Sequence, residues 1–334
     1  MSCTQETCPV SESIYGYRPN IPANAFFVAL FGVTAIAQTV QGFKYGTWTY
    51  CIVMVCGCVS ECLGHAGRIM LHDDPFGQAG FNLQICLLTL APAFLAGAIY
   101  LMLKHIVLTT SPTLSRFPAR YYTYIFITCD LLSLVLQAAG GGTAATSTQN
   151  GRTDLTQLQS GEHIMMAGLA FQVFTLCIFF VLSLEYAIRV RQAPSGALKH
   201  ETANVRASKR FRAFVGALAL AFVAILVRCV YRIVEMAGGW KNPIMQNEAS
   251  FIVLDSSLCS LAALVLTVFH PGHCFNYRVI NRDELLLERE RRNSKKAKKN
   301  NGNNGSGAKM PVAGRPPSGG STISTSDAEL VCKA

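Results

Sequence analysis

Seven stretches of the chain are apolar and almost free of charge: Asn24 to Gln41, Trp48 to Arg68, Gly80 to Leu103, Tyr121 to Gly140, His163 to Leu184, Phe211 to Glu235 and Phe251 to His270. A helix rises about 1.5 Å per residue, so roughly 20 such residues cross about 30 Å of hydrocarbon. The pattern predicts an all-α polytopic membrane protein with seven transmembrane helices. Polar residues inside the stretches recur at helical spacing, which places them on stripes. Glu61, His65 and Arg68 stand at i, i+4, i+7 in the second stretch, on one face with Gly57 and Gly64. Asp130, Ser133 and Gln137 form a stripe on the fourth, and Arg228, Arg232 and Glu235 on the sixth. Gln84 lies on the third, Gln172 on the fifth, and Asp255 with Ser256 on the seventh.

Composition agrees with this assignment. The 334 residues are 51% hydrophobic and 14% charged, whereas soluble chains carry about 25% charged residues. The net charge of +10 does not indicate a nucleic-acid partner, because the basic residues gather in short connections and one tail. Alternate connections differ sharply. One set holds Lys44, then Lys104, Arg116 and Arg120, then Arg189 to Arg212, then the tail; the other holds little beyond Arg18, Arg152 and Lys241. The positive-inside rule therefore predicts an external amino terminus and a cytoplasmic carboxyl terminus.

This reading divides the chain into an extracellular segment 1–23, a transmembrane domain 24–272, a juxtamembrane amphipathic segment 273–293 and a disordered basic cytosolic tail 294–334. Residues Met1 to Ala23 lack the basic start and apolar run of a cleavable signal peptide, so the first span is expected to direct insertion. The cluster Lys295 to Lys299 favours anionic inner-leaflet lipids by about 1 kcal/mol per charge. Cys274 is a juxtamembrane palmitoylation candidate, with a plain thiol as the alternative. Most of the 13 cysteines lie inside spans and read as small packing residues; Cys56, Cys58 and Cys62 do not share one helix face, which argues against a metal cluster. Cys3 and Cys8 face an oxidising compartment in this topology, where pairing is permitted.

A charge at the centre of a span costs about 2.5 to 3.5 kcal/mol on insertion scales. Glu61, Asp130, Glu235 and Asp255 nearly balance Arg68, Arg228 and Arg232, and all are expected in the outer half of the membrane or near its middle. The plain reading is an ion-pair network that fixes helix registry. The functional reading is a polar cavity or network that meets a ligand headgroup, above an apolar inner half. In the third stretch, Pro92 removes a backbone hydrogen bond and suggests a kink or hinge, and Gly97 and Ala98 allow close approach. The run Gly140 to Gly142 is expected to end the fourth helix with a left-handed or sharply turned backbone.

The ordered set of motifs resembles a fungal family of seven-helix lipid-translocating exporters, the RTA-like or aminocholesterol-resistance proteins. The matching residues are Tyr17-Arg18-Pro19-Asn20 with Asn24; Glu61 through Arg68; Gln84; Ala91-Pro92; Ala98-Ile99-Tyr100; Phe126 through Asp130 to Gln137 and the triple glycine; Gly161, Gly168 and Gln172; Arg228 through Glu235; Gly238-Gly239; Glu248; Asp255; and His270-Pro271-Gly272. His65 departs from the aromatic residue the family more often carries there. The resemblance implies transbilayer movement of sphingoid bases or phospholipids, resistance to toxic amphiphiles and a plasma-membrane location, and an enzymatic activity is not expected. The candidate headgroup or translocation residues are Glu61, Arg68, Gln84, Tyr100, Asp130, Gln137, Gln172, Arg228, Arg232, Glu235 and Asp255.

Three function classes compete. A lipid or amphiphile translocator is the leading one; the chain contains no GxxxxGK[ST] loop, so gradients, or protons passing Asp130 or Asp255, are the expected drive. A seven-helix lipid sensor shares the topology, although the third helix ends Leu103-Lys104-His105 rather than in an acidic-Arg-aromatic triplet. A zinc-dependent lipid hydrolase would need His65, Asp130, His270 and His273 to converge on one ion, and His65 and the last two belong near opposite membrane faces. No cofactor is expected.

Overall fold

The computed structural model describes residues 9–13, 15–111, 114–116, 119–146, 155–194, 208–239 and 242–274. The amphipathic segment beyond Cys274 and the basic tail lie outside them, as do Cys3, Cys8, Arg152 and Lys241. Among the described residues all regular structure is helical: α1 Ile21–Tyr45, α2 Trp48–Asp73, α3 Gln78–Thr110, α4 Ala119–Thr146, α5 Leu155–Gln192, α6 Lys209–Ala237, and α7, the segment Glu248–Cys274. Each is long and apolar enough to cross a membrane, and the protein is a multi-pass integral membrane protein.

Local chemistry sets the helix ends. The Asn20 side chain caps α1 by accepting from Ala23 N at 3.1 Å, and Gly46, at φ 69°, closes it, a left-handed conformation that costs glycine little. Ser208 caps α6 and Asn247 caps α7. The start of α7 is irregular: after one turn, Ile252–Ser256 widen into a π-helical turn, and Ser257 Oγ donates to Ile252 O at 2.8 Å. Such single turns recur at functional positions.

The helices pack in a ring, each against its sequence neighbours, with α7 returning to α1; α3 also touches α6 and α7 and so occupies the centre. Accordingly Leu95, Ile99, Tyr100 and Met102 of α3 are fully buried, against Tyr50 and Met54 of α2, Phe214 and Ile225 of α6 and Leu266 of α7. The opposite situation holds on α1, where Val33, Ile36 and Val40 are exposed, as lipid-facing side chains are in a membrane bundle. The ends of the bundle are tied separately. Asn20 N donates to Glu248 at 2.6 Å at one end; at the other, Tyr45 meets His273 at 2.9 Å and Thr47 meets His270 at 3.3 Å.

The triple glycine does not end α4, which continues to Thr146, and none of Gly140 to Gly142 has a positive φ. Its first residue serves close helix approach instead: a Cβ on Gly140 would lie 2.6 Å from Gly161 O, and one on Gly161 would lie 2.7 Å from Gly140 O. Glycine pairs of this kind let membrane helices approach closely, where dispersion replaces the missing hydrophobic drive. Pro92 likewise leaves α3 unbroken from Gln78 to Thr110.

Candidate functional site

All of the candidate residues named from the sequence are buried. They fall in the half of the bundle that contains the Asn20–Glu248 tie, or near its middle, because α2, α4 and α6 run toward that end while α3, α5 and α7 start from it. The structure brings them together in three connected groups.

The first group surrounds Arg68 on α2. Its Nη2 donates to the Tyr17 hydroxyl at 2.9 Å and lies 3.7 Å from Glu248. The guanidinium rests 3.9 Å from the Phe251 ring centroid and 5.6 Å from that of Tyr15, positions at which a ring quadrupole attracts a cation. Gln84 donates to the Tyr15 hydroxyl. Burial raises the pKa of both tyrosine hydroxyls above the ordinary value, against the opposing pull of Arg68, so they act as neutral hydrogen-bonding groups. His65, one turn before Arg68, stacks on Phe27 at 5.0 Å and Phe31 at 6.1 Å and shares a 2.9 Å hydrogen bond with Asn24. An aromatic cage thus accounts for a flat ring at this position.

The second group is ionic. Arg228 Nε lies 2.9 Å from Asp255 Oδ1, both fully buried, and Glu61 is in electrostatic range of both. Arg228 Nη2 also donates to the backbone carbonyl of Leu88 on α3. That acceptor has a local cause. In a regular helix the carbonyl of residue 88 would bond the N–H of residue 92, and residue 92 is proline, which has none. Pro92 frees a carbonyl at the centre of the bundle, and an arginine from α6 takes it; the residue that suggests a hinge also supplies an anchor. One turn further along α6, Arg232 pairs with Glu235 at 2.5 Å, and Asn242 donates to the Glu235 carbonyl.

The third group lies between α3, α4 and α5. Asp130 interacts with Tyr100 and Thr175, and Gln137 donates to Gln172 at 3.1 Å. Among the described residues no basic group lies within salt-bridge distance of Asp130. Cys229 connects this group to the second, within electrostatic range of Arg228, Asp130 and Asp255. Gly168 makes room for the pair: a Cβ there would meet Gln137 Cγ at 2.9 Å.

The hydrogen-bonding capacity of the layer is not used up. Gln84 Oε1 and Nε and Nη1 of Arg68 have no hydrogen-bond partner, and the carboxylates of Glu61 and Asp130 make no well-formed hydrogen bond, their neighbours being His65 Nε2 at 3.8 Å and Cys259 for Glu61 and the Tyr100 and Thr175 hydroxyls for Asp130. Buried polar groups are seldom left so. Carboxylates also outnumber arginines: Glu61, Asp130, Glu235 and Asp255 against Arg68, Arg228 and Arg232.

Residues that the sequence did not single out as site residues complete the arrangement: Tyr15, Tyr17, Asn24, Phe251, Asn242 and the Leu88 carbonyl. Tyr17 and Asn24 stood in recognisable motifs, but nothing local to Tyr15 or Leu88 marks them. Among the described residues no three His, Cys, Asp or Glu side chains converge as a metal site. His65 belongs to the Asn24 end of the bundle and His270 to the Thr47 end.

The sphingoid long-chain base transporter RSB1 of Saccharomyces cerevisiae is 31% identical to the chain over 300 residues, covering 82% of this chain and 77% of that protein. Protein RTA1 of the same yeast is 25% identical over 283 residues, 77% of this chain and 84% of its own. Protein RTM1 is 30% identical over 226 residues, 66% and 67% respectively. No solved structure matches. The family model described as RTA1 like protein matches residues 54–278, a region that contains Arg68, Pro92, Asp130, Arg228 and Asp255, and the chain therefore belongs to the RTA1-like family.

Proposed function

We propose that this protein is a translocator of amphipathic lipids of the sphingoid-base type, without enzymatic activity, in the plasma membrane. The headgroup enters the buried polar layer while the hydrocarbon tail stays among the helices or in lipid. The observation that carries this reading is the excess of buried carboxylate, Asp130 above all, which has no basic partner among the described residues. An ammonium headgroup with hydroxyls offers Asp130 a cationic donor beside its neutral Tyr100 and Thr175 neighbours, offers Glu61 further donors, and balances the charge of the layer. The similarity to a sphingoid long-chain base transporter supports the same class of substrate.

In this reading Arg228 and Asp255 hold α6 and α7 in register, and Arg68 with Tyr15 and Tyr17 covers the layer at the amino-terminal end. The Lys and Arg distribution supports an orientation with that end outside and the carboxyl terminus in the cytoplasm. Protonation of Asp130 would let the unloaded layer reset, and it gives proton coupling a specific carrier.

The test is reconstitution of the full chain into liposomes with labelled sphingoid bases and a phospholipid panel. Asp130→Asn and Arg232→Ala are expected to abolish sphingoid-base movement while the proteins still insert. Movement at the wild-type rate in both variants would overturn the headgroup assignment. Ligand-dependent signalling with no lipid movement by the wild type would instead favour a receptor.

A further inference from the structure

The far half of the bundle contains a feature that the polar layer does not use. A cavity of about 670 Å³ opens between α3, α5 and α6, within the range of roughly 300 to 1,000 Å³ typical of ligand sites. Its walls are apolar, among them Leu103 of α3, Phe180 and Leu184 of α5, and Val215 and Phe222 of α6. Phe180, Leu184 and Val215 are also exposed on the bundle surface, so the cavity communicates sideways with the space that lipid occupies. Gly216 contributes an open stretch of wall: a Cβ placed there meets nothing within 4 Å.

The mouth is basic. Arg191, at the end of α5, and Arg212, in the first turn of α6, both line it. Among the described residues near this mouth, Glu185 is bridged by Arg189 at 2.6 Å and Arg116 at 2.8 Å. Arg191 forms no salt bridge among the described residues. The dimensions match a lipid as well as the charge does. From Arg191 to Phe180 along α5, and from Arg212 to Val223 along α6, the rise is about 16 Å, against about 15 Å for half of the hydrocarbon core.

We propose that this groove is a binding site for a lipid with a net-anionic phosphate headgroup, one acyl chain lying between α5 and α6 and the phosphate held by Arg191 and Arg212. Guanidinium groups pair with phosphate in charge-assisted, often bidentate, contacts. The same two arginines repel an ammonium headgroup, so the groove is distinct from the site proposed for sphingoid bases, and its occupant is chosen by charge of the opposite sign. A basic protein segment, such as Lys295 to Lys299, is disfavoured at this mouth for the same reason. Because the lipid would wedge α5 and α6 against α3, which also carries Tyr100 and Leu88, its presence has a direct route to the polar layer.

The test uses the full chain in phosphatidylcholine nanodiscs with trace diazirine-bearing phosphatidic acid or diazirine-bearing phosphatidylcholine, followed by peptide mapping after photolysis. Phosphatidic acid is expected to label the α5 and α6 walls about tenfold or more above phosphatidylcholine. Gly216→Phe, which fills open space, should remove the preference, and Arg191→Gln with Arg212→Gln should equalise the two probes. Thermal unfolding confirms that each variant is folded. Equal labelling by both probes in the wild type would reduce the groove to a gap filled by bulk lipid and overturn the proposal. Undiminished phosphatidic acid labelling in folded Gly216→Phe would do the same. If Gly216→Phe does not fold, the arginine variants decide: retained selectivity rejects the site, and its loss supports it.

Discussion

Replacing Pro92 with alanine separates an anchor from a hinge. Alanine restores an N–H at position 92, which can bond the Leu88 carbonyl and compete with Arg228 for it. A hydrogen bond to a charged group contributes about 1.5 to 3 kcal/mol, whereas interhelical bonds measured inside membranes average near 0.6 and reach about 1.7 kcal/mol. The two ranges overlap near 1.5 kcal/mol, so loosening Arg228 should slow lipid movement by about tenfold if that bond helps hold the working geometry. Stability should change in the opposite direction. Proline in a helix interior is about 3 kcal/mol less favourable than alanine, a cost reduced here because the freed carbonyl has a partner. Pro92→Ala is therefore expected to unfold at the same temperature as the wild type or higher while transporting about tenfold more slowly in liposomes. Pro92→Gly makes the distinction sharper: it also restores the N–H but keeps the helix pliable, so an anchor predicts a loss like that of alanine and a hinge predicts near-normal transport. Combining Pro92→Ala with Arg228→Gln should add little to Arg228→Gln alone. Wild-type transport by a folded Pro92→Ala protein would refute the anchor.

Asp255→Asn leaves Arg228 buried without its carboxylate, and thermal unfolding should register a loss of about 3 to 5 kcal/mol; the double change Arg228→Met, Asp255→Leu should recover most of that stability but not transport. Gly161→Leu forces side-chain atoms into the Gly140 backbone and should destabilise the folded protein by about 1 to 3 kcal/mol or more, whereas Gly142→Leu, with nothing within 4 Å of its Cβ position, should be tolerated. Tyr17→Phe removes the 2.9 Å bond to Arg68 but keeps the ring, and a fall in stability of about 1 kcal/mol is expected; no measurable change would show that Glu248 and the surrounding rings hold Arg68 without the hydroxyl.

The seven spans were legible because lipid imposes a simple rule: a segment must be long, apolar and internally hydrogen-bonded to cross. That rule acts on each segment separately, so it can be read without knowing any neighbour. The polar stripes were legible for the same reason, since Glu61, Arg68, Asp130, Arg228 and Arg232 are the residues a bilayer should exclude, and helical spacing assigns them to faces. Features whose cause spans two helices were not legible. The run Gly140 to Gly142 reads as a helix terminator on its own, and only the backbone of Gly161 shows that its first glycine makes room for α5. Asp255 stands without a charged neighbour on its own helix, and its partner is Arg228 on α6.

What the sequence determined by itself is the membrane class, the number of spans and the depth of the unusual charges, because these follow from segment-by-segment transfer between water and lipid. Tertiary structure alone decided which charges meet, that Tyr15 and Tyr17 cover Arg68, that the carbonyl released by Pro92 is taken by Arg228, and that an apolar groove with a basic mouth opens at the far end. Those outcomes depend on distances between atoms far apart in the chain. Periodicity along one helix assigns a side chain to a face, and only packing determines what that face meets.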